Sequence, residues 1–428
     1  MTNPPEGWEI RRLEDLCEPG KQAIVDGPFG SNLKRSDYVD SGIPVLKIQN
    51  IKENLITLKK MDYVSPDKYQ ELVRHSFTEG DIVMTKLGDP LGVSAIVNGI
   101  PNGLIVADLV RIRPSKVLIK FLCYQLNSPR IQKYINEQQK GTTRPRVNLA
   151  MIRELPIYSP PIEEQHNIVE LLEDHLLRLD AALVDVRQAK LKAAQFRRSL
   201  LQAAFTGNLG SSGTGSLTEI PSDWNWVTLD EAMSECKNGL TYRNNPELAG
   251  FPVSRIETIS NGEIDFQKVG YGGVSLEGNQ KHLLTPGDIL FSHINSMLHV
   301  GKVAIYKSGM PALLHGMNLL RITPSDGFVP KFLFFLFQSS DVRKQIWSKA
   351  KHAVNQASIN IGELKTVVVP KPPIIEQQKI VEILEDHLSR LEASVSLAEV
   401  MERQSNGLRR SLLQAAFTGQ LTKEVESV

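Results

Sequence analysis

The sequence predicts an α+β protein with an internal pseudo-two-fold repeat: two mixed α/β domains separated by two long antiparallel coiled-coil helices. Three observations predict it. A long segment recurs half a chain later, each copy carries a 3.5-residue apolar period, and the segments between the copies are strand-rich and divergent. The first copy opens at Pro160-Pro-Ile-Glu-Glu-Gln and the second at Pro372-Pro-Ile-Ile-Glu-Gln. Their distal ends, Arg197 to Gly207 and Arg409 to Gly419, are identical, and both ends share one offset of 212 residues (372 − 160 and 409 − 197). This layout assigns 1–155 to a first domain, 156–209 to a first helix, 210–367 to a linker plus second domain, and 368–428 to a second helix.

In the first domain, Ile43–Gln49, Asp81–Met84 and Leu109–Arg113 read as short strands bounded by Gly, Pro and Asp, and Ile119–Gln125 and Ile131–Gln138 read as helices. Pro330–Phe337 and Asp341–Lys349 are their helical counterparts in the second domain. A mixed or antiparallel sheet with helices on one side follows. Each repeat starts with Pro-Pro and acidic residues, which suit a helix N-terminus. Leucines then recur at spacings of 4 and 3: Leu172, Leu176, Leu179, Leu183, and in the second copy Leu384, Leu388, Leu391. From Ile162 to Phe205 such a helix would be roughly 66 Å long.

A lone helix with that stripe needs a partner. The other copy, packed antiparallel with the domains at opposite ends, is the simplest; packing on its own domain is the alternative. His175 and His387 read as packed seam histidines, and Gly207 and Gly419 as C-caps. Asn406-Gly407 inside the second helix should cost about 1 kcal/mol against alanine and introduces a potential kink. Gly207 to Ser216 reads as a flexible linker.

Composition narrows the function. The 428 residues are 41% hydrophobic and 23% charged with a net charge of +1, which excludes a disordered chain and a polybasic, histone-like binder. Three cysteines offer neither a disulfide framework nor metal spacing and suit a reducing compartment. No apolar run approaches the ~20 residues of a membrane span. Met1-Thr-Asn-Pro-Pro-Glu is no signal peptide, so an intracellular location is expected. P-loop, dinucleotide, zinc-protease and amino-methyltransferase motifs are absent; Ser159-Pro-Pro-Ile162 lacks the aromatic that stacks on a flipped base. A chain without catalysis is therefore expected.

Charge is uneven locally. Nine basic residues between Arg111 and Arg146 face only Glu137, and six between Arg321 and Lys351 face Asp326 and Asp341. Such stretches suit phosphate contact, or form an ordinary solvated helix face. Three loops combine small residues with readers of base edges: Asp26–Arg35 and Thr85–Asp89 in the first domain, and Ser292–Ser296 in the second.

Two divergent domains alternating with two copies of this Pro-Pro-Ile…Ala-Ala-Phe-Thr-Gly segment resemble the DNA-specificity subunit of type I restriction–modification systems, over essentially the whole chain. Gly27-Pro-Phe-Gly-Ser-Asn-Leu-Lys34 also resembles an opening stretch of first target-recognition domains in that family. The resemblance implies two target-recognition domains, each reading half of an asymmetric bipartite duplex DNA site, with the helices as a ruler. It implies two modification (methyltransferase) subunits docked on the helices, and restriction (endonuclease/translocase) subunits beyond them. S-adenosylmethionine, ATP and Mg would sit on those partners, with no cofactor or metal in this chain, in a prokaryotic cytoplasm.

Loop position and side-chain chemistry then nominate Asn32, Lys34, Arg35, Lys86 and Asp89 as base readers in the first domain, and Arg243, His293, Asn295 and His299 in the second. Lys133, Arg144, Arg146, Lys349 and Lys351 are nominated for phosphates. Two rivals stand beside this reading. One is a stand-alone DNA-modifying enzyme with a diverged site. The other is a scaffold that binds no DNA, with two protein-binding domains on a helical strut.

Overall fold

A computed structural model describes residues 4–139, 145–206, 220–259, 262–296, 299–353 and 356–423. The chain forms two compact units, one of residues 1–186 with 400–428 and one of residues 187–399. The expected linker and Gly207 lie outside the described residues.

In the first unit an antiparallel sheet runs in the order Ser94–Ile96, Ile82–Thr85, Leu109–Ile112, Ile24–Asp26. Its strands are buried on both faces. Ile82, Met84, Val110 and Ile112 share a core with Phe121, Leu122, Ile131 and Ile135 of helices Ile119–Leu126 and Pro129–Gln138. Val83, Ala95 and Leu109 share another with Leu46 and Ile105. Those two belong to a second, five-stranded sheet in which Asn102–Ile105 runs parallel to Ile43–Leu46. Alternation along each strand divides the two cores, so the expected single sheet is in fact two.

Strand Glu9–Arg12 pairs with Pro156–Ser159 and ties the domain's beginning to its end. The first long helix, Ile162–Phe205, starts there. Trp8 Nε1 donates to Glu164 at 3.0 Å, and Gln165, buried, accepts from the Leu118 amide at 2.9 Å while donating to the Pro160 carbonyl at 2.9 Å. Leu172, Leu176, Leu179 and Val186 are buried along the expected stripe. Leu413, Ala416 and Phe417 of the second long helix and the turn after it enter the same core as Ile168 and Leu172. The Phe417 ring meets Phe121 edge-on at 5.3 Å. Arg409 pairs with Asp180. Partner numbers fall as helix numbers rise, so the two helices run antiparallel in this unit.

The second unit repeats these contacts with different strands. Its antiparallel sheet runs Met233–Asn238, Leu319–Pro324, Ile289–Ser292, Val303–Ile305. Asn225–Thr228 pairs with Val368–Lys371. Trp224 donates to Glu376 at 2.9 Å, and Gln377 accepts from the Val329 amide at 2.8 Å and donates to the Pro372 carbonyl at 2.9 Å. The Phe205 ring meets Phe332 edge-on at 5.3 Å, and Arg197 pairs with Glu392 at 3.4 Å. In place of a five-stranded sheet, residues 239–288 contain 3-10 turns such as Ile256–Ile259 and Phe266–Lys268, with Ile259, Ile264 and Leu284 buried against Leu290 and Leu319.

Each helix therefore does both things that were set as alternatives: its first half packs on its own domain, its last turns on the other. Two expectations need correction. His175 and His387 are exposed, because the seam runs through the following Leu176 and Leu388, although the His387 ring still meets Phe196 edge-on at 6.3 Å. The second long helix, Ile374–Ala416, continues through Asn406-Gly407 without a break. Gly419 does sit just beyond it with a φ of +70°. Among the described residues, several of the counted basic side chains are engaged within the fold. Arg111 is 2% exposed inside the sheet, Arg113 is spent on Asp81 at 2.8 Å, and Arg130 stacks on Tyr158 at 3.7 Å. In the second unit Arg321 pairs with Glu235, and Lys331 with Glu385.

Candidate nucleic-acid interface

Strand register gathers the candidate loops at one edge of each four-stranded sheet. In the first domain Val110 lies opposite Asp26 and Leu109 opposite Thr85, so the chain leaves both neighbouring strands where Leu109–Ile112 begins. In the second, Leu320 lies opposite Asn238 and Leu319 opposite Ser292. The two edges are equivalent in detail. Gly27 follows Asp26 and Gly239 follows Asn238, and each passes so close to the opposing backbone that a Cβ would lie 2.1 Å from Val106 or Gly316 respectively. Only glycine can turn the loop out there. The Val147 amide donates to the Lys86 carbonyl at 3.0 Å, as the Ile359 amide does to that of His293 at 2.9 Å. Lys86 and His293 thus hold corresponding places.

At the first domain's edge the Lys86 ammonium pairs with the Asp26 carboxylate at 2.6 Å. Both line a cleft of about 580 Å³ together with Phe29, Asp108 and Arg146. Arg146 is exposed and its backbone bridges to Leu87. Asn32, Lys34 and Arg35 are exposed on the loop after Gly27; the Lys34 amide is held by Asp37 at 2.6 Å, opening the short turn Arg35–Asp37. Asp89 is exposed beside the cis peptide to Pro90. Lys133 is exposed on Pro129–Gln138, 3.9 Å from Glu137. Arg144 lies outside the described residues.

At the second domain's edge His293 is buried, with Nδ1 unpartnered and burial pushing its pKa down. Asn295 is half-buried, donates to Ser292 Oγ at 3.3 Å and accepts from the Ser296 amide at 2.8 Å. His299 Nδ1 lies 3.0 Å from Lys302 Nζ. Arg243 is exposed on the loop after Gly239. Lys349 ends helix Ser340–Lys349 half-buried, and Lys351 is exposed on the strand Lys351–Ala353.

Sequence reasoning missed three features of these edges. Asp26 as the partner of Lys86 becomes visible only through strand register. Phe29, 75% exposed within the loop Asp26–Arg35, and Asn318, with a φ of +71°, are not singled out by the sequence. Among the described residues no group of three or more His, Cys, Asp or Glu could hold a metal, and no helix is long and apolar enough to cross a membrane. Burial pushes the Cys17 and Cys123 thiols up to about 12, which makes them poor nucleophiles.

A profile described as the type I restriction modification DNA specificity domain matches residues 5–185 and again residues 221–401. The chain belongs to that family. The two matches reproduce the internal repeat, one per domain with the greater part of its helix. Among relatives, the putative type I restriction enzyme MjaX specificity subunit of Methanocaldococcus jannaschii is 42% identical over 199 residues, covering 45% of this chain and 46% of its own. The chain thus spans about half the length of that relative in the match. The type I restriction enzyme EcoKI specificity subunit of Escherichia coli is 23% identical over 98% of this chain and 90% of its own. Two solved structures share the fold. A chain from a study of complex assembly and conformational transition of the type I R-M system superposes with a TM-score of 0.74 at 18% identity, covering 98% of this chain and 100% of its own. The HsdS subunit of Thermoanaerobacter tengcongensis gives 0.56 at 18% identity, covering 98% of both.

The second specificity domain carries a pair of neighbouring histidines, His282 and His315, that makes it sensitive to acid. Burial, then Arg321 and His282, push His315 down to about 4. His282, whose ring lies 5.3 Å away, is also lowered, by burial and by Lys281 and Arg321. In the unfolded chain a histidine titrates near 6.5, so the unfolded state binds the extra proton first. Stability from a neutral His315 is complete above about pH 6.5 and is lost as pH falls towards 4, roughly 3 kcal/mol in all. Amide exchange is expected to show the second unit loosening from pH 7 to pH 5 by roughly 2 kcal/mol, an effect that His315→Gln removes. An unchanged second unit in the wild type would count against it.

Proposed function

We propose that this chain is the non-catalytic address-reading subunit of a type I restriction–modification complex. Its two domains bind duplex DNA sequence-specifically, each reading one half of an asymmetric bipartite target, and direct methyltransferase and restriction subunits to it. The observation that carries the reading is the pair of equivalent loop edges, built on one scaffold but furnished differently. Asp26 and Lys86 in one domain correspond to Asn238 and His293 in the other. A common frame with unlike side chains at the same places suits two different half-sites on one duplex.

The near-identical helices support docking of two like partners, since like partners need like surfaces. S-adenosylmethionine, ATP and Mg belong to those partners, and a prokaryotic cytoplasm is the expected setting. The length of the helices would set the unspecified spacer between half-sites. The test is co-expression with a methyltransferase subunit encoded beside its gene, followed by methylation-sensitive sequencing of host DNA. The expected result is a bipartite motif modified only when this chain is present. A stable complex with unchanged methylation would overturn the reading.

A further inference from the structure

We propose that Asp26 and Lys86 act as a joint reader of one G·C base pair in the half-site bound by the first domain. This rests on the proposed DNA-reading function and names part of its substrate. The pair sits at the strand edge where the candidate loops converge, and both side chains line the 580 Å³ cleft with Phe29 and Arg146. Lys86 Nζ and Asp26 Oδ2 are 2.6 Å apart. That contact uses one of three ammonium donors and one of the carboxylate's roughly four acceptor positions. The remaining groups offer a donor and an acceptor side by side.

In the major groove a G·C pair presents the guanine N7 and O6 acceptors next to the cytosine N4 donor, with O6 and N4 about 3 Å apart across the base pair. A lysine–aspartate couple is the complement of that pattern: ammonium to guanine, carboxylate to cytosine. An A·T pair at the same place puts the adenine N6 donor and thymine O4 acceptor in the reverse order, and a T·A pair keeps the acceptor–donor order but sets the thymine methyl, in place of guanine N7, against the ammonium. The pair is equally unsuited to the DNA backbone. A lysine meant for phosphate gains nothing from a carboxylate in contact with it, because Asp26 cancels its charge and repels the phosphate. Exposed Arg146, lining the same cleft without such a partner within it, is the better phosphate ligand. The second domain has Asn238 and His293 at the matching places, so its half-site carries no such requirement.

The test selects binding sites from a random duplex library with the full-length chain, as wild type and as Asp26→Asn and Lys86→Gln. The expected result is a wild-type motif in which both variants relax the same single G·C position, with discrimination there falling about 5- to 150-fold. The rest of the motif is retained. Retention of the other positions of the half-site read by the first domain reports in each experiment that this domain is folded, and the second half-site serves as the internal reference. Variants that leave every position unchanged, or that relax different positions, would overturn the joint reader while leaving the function in place. A wild-type chain that enriches no sequence at all would overturn both.

Discussion

Replacing Phe417 with alanine is expected to destabilise the domain formed by residues 1–186 by about 3–5 kcal/mol, although the two lie some 300 residues apart at Phe121. The Phe417 side chain is 1% exposed and packs edge-on against Phe121 inside the core that also holds Ile82, Met84 and Val110. Removing it deletes the ring's burial and leaves a cavity that a sheet on one side and a helix on the other cannot collapse into. Phe205→Ala should do the same to the second unit, where Phe205 is also 1% exposed and meets Phe332 in the matching geometry. Hydrogen exchange on the intact protein distinguishes the two. Phe417→Ala is expected to speed exchange in strands Ile82–Thr85 and Leu109–Ile112 and to leave Ile289–Ser292 protected; Phe205→Ala should give the reverse. Loss of protection in the wrong unit would mean that the helix ends stabilise their own domains, not the opposite ones.

The helices were the most legible part of the sequence for a physical reason. Their apolar residues repeat along one dimension, so Leu172, Leu176 and Leu179 could be assigned to a buried stripe without knowing the partner. The phase was less secure. A histidine one place before a seam leucine looks like a seam residue, and only the packing shows that His175 is exposed and that His387 sits at the margin, its ring edge-on to Phe196 at 6.3 Å. Gly407 is tolerated inside the second helix: a glycine costs about 1 kcal/mol there, and a 43-residue helix continues through it.

The candidate interface was legible only in outline, because it is assembled by strand register. Loops rich in Gly, Asn and Lys could be named from sequence, and they do converge at one sheet edge in each domain. Which side chains meet there was not legible. Asp26 and Lys86 are 60 residues apart and come together through the strand Leu109–Ile112 that lies between theirs. The charge counts failed for the same reason. A run of arginines says nothing about direction, and Arg111 and Arg321 point into the sheet at corresponding register positions, opposite Val83 and Leu290.

Those inward arginines make Asp81→Ala the second large expected effect. Asp81 is 2% exposed; it accepts from the Thr78 amide at 2.8 Å and holds the Arg113 guanidinium at 2.8 and 2.9 Å through both oxygens. That bond keeps Arg113 above its ordinary pKa, while burial and the neighbouring Arg113 push Arg111 down. Asp81 attracts both arginines. Without it two guanidinium groups face each other with less compensation, Arg111 already having Nε and Nη1 unpartnered. Breaking such a pair costs about 3–5 kcal/mol, towards the lower end here because the Arg113 side chain is 29% exposed. Asp288 is the equivalent carboxylate of the second domain. It accepts from the Thr285 amide at 2.8 Å, but its other strand partner is the neutral Thr323 hydroxyl at 2.6 Å. Asp288→Ala should therefore cost less, about 1–3 kcal/mol for polar groups left unsatisfied. Local exchange of Leu109–Ile112 in one variant and Leu319–Pro324 in the other measures the difference. Equal losses would show that the turn-capping bond shared by the two carboxylates outweighs the charge pairing found only at Asp81.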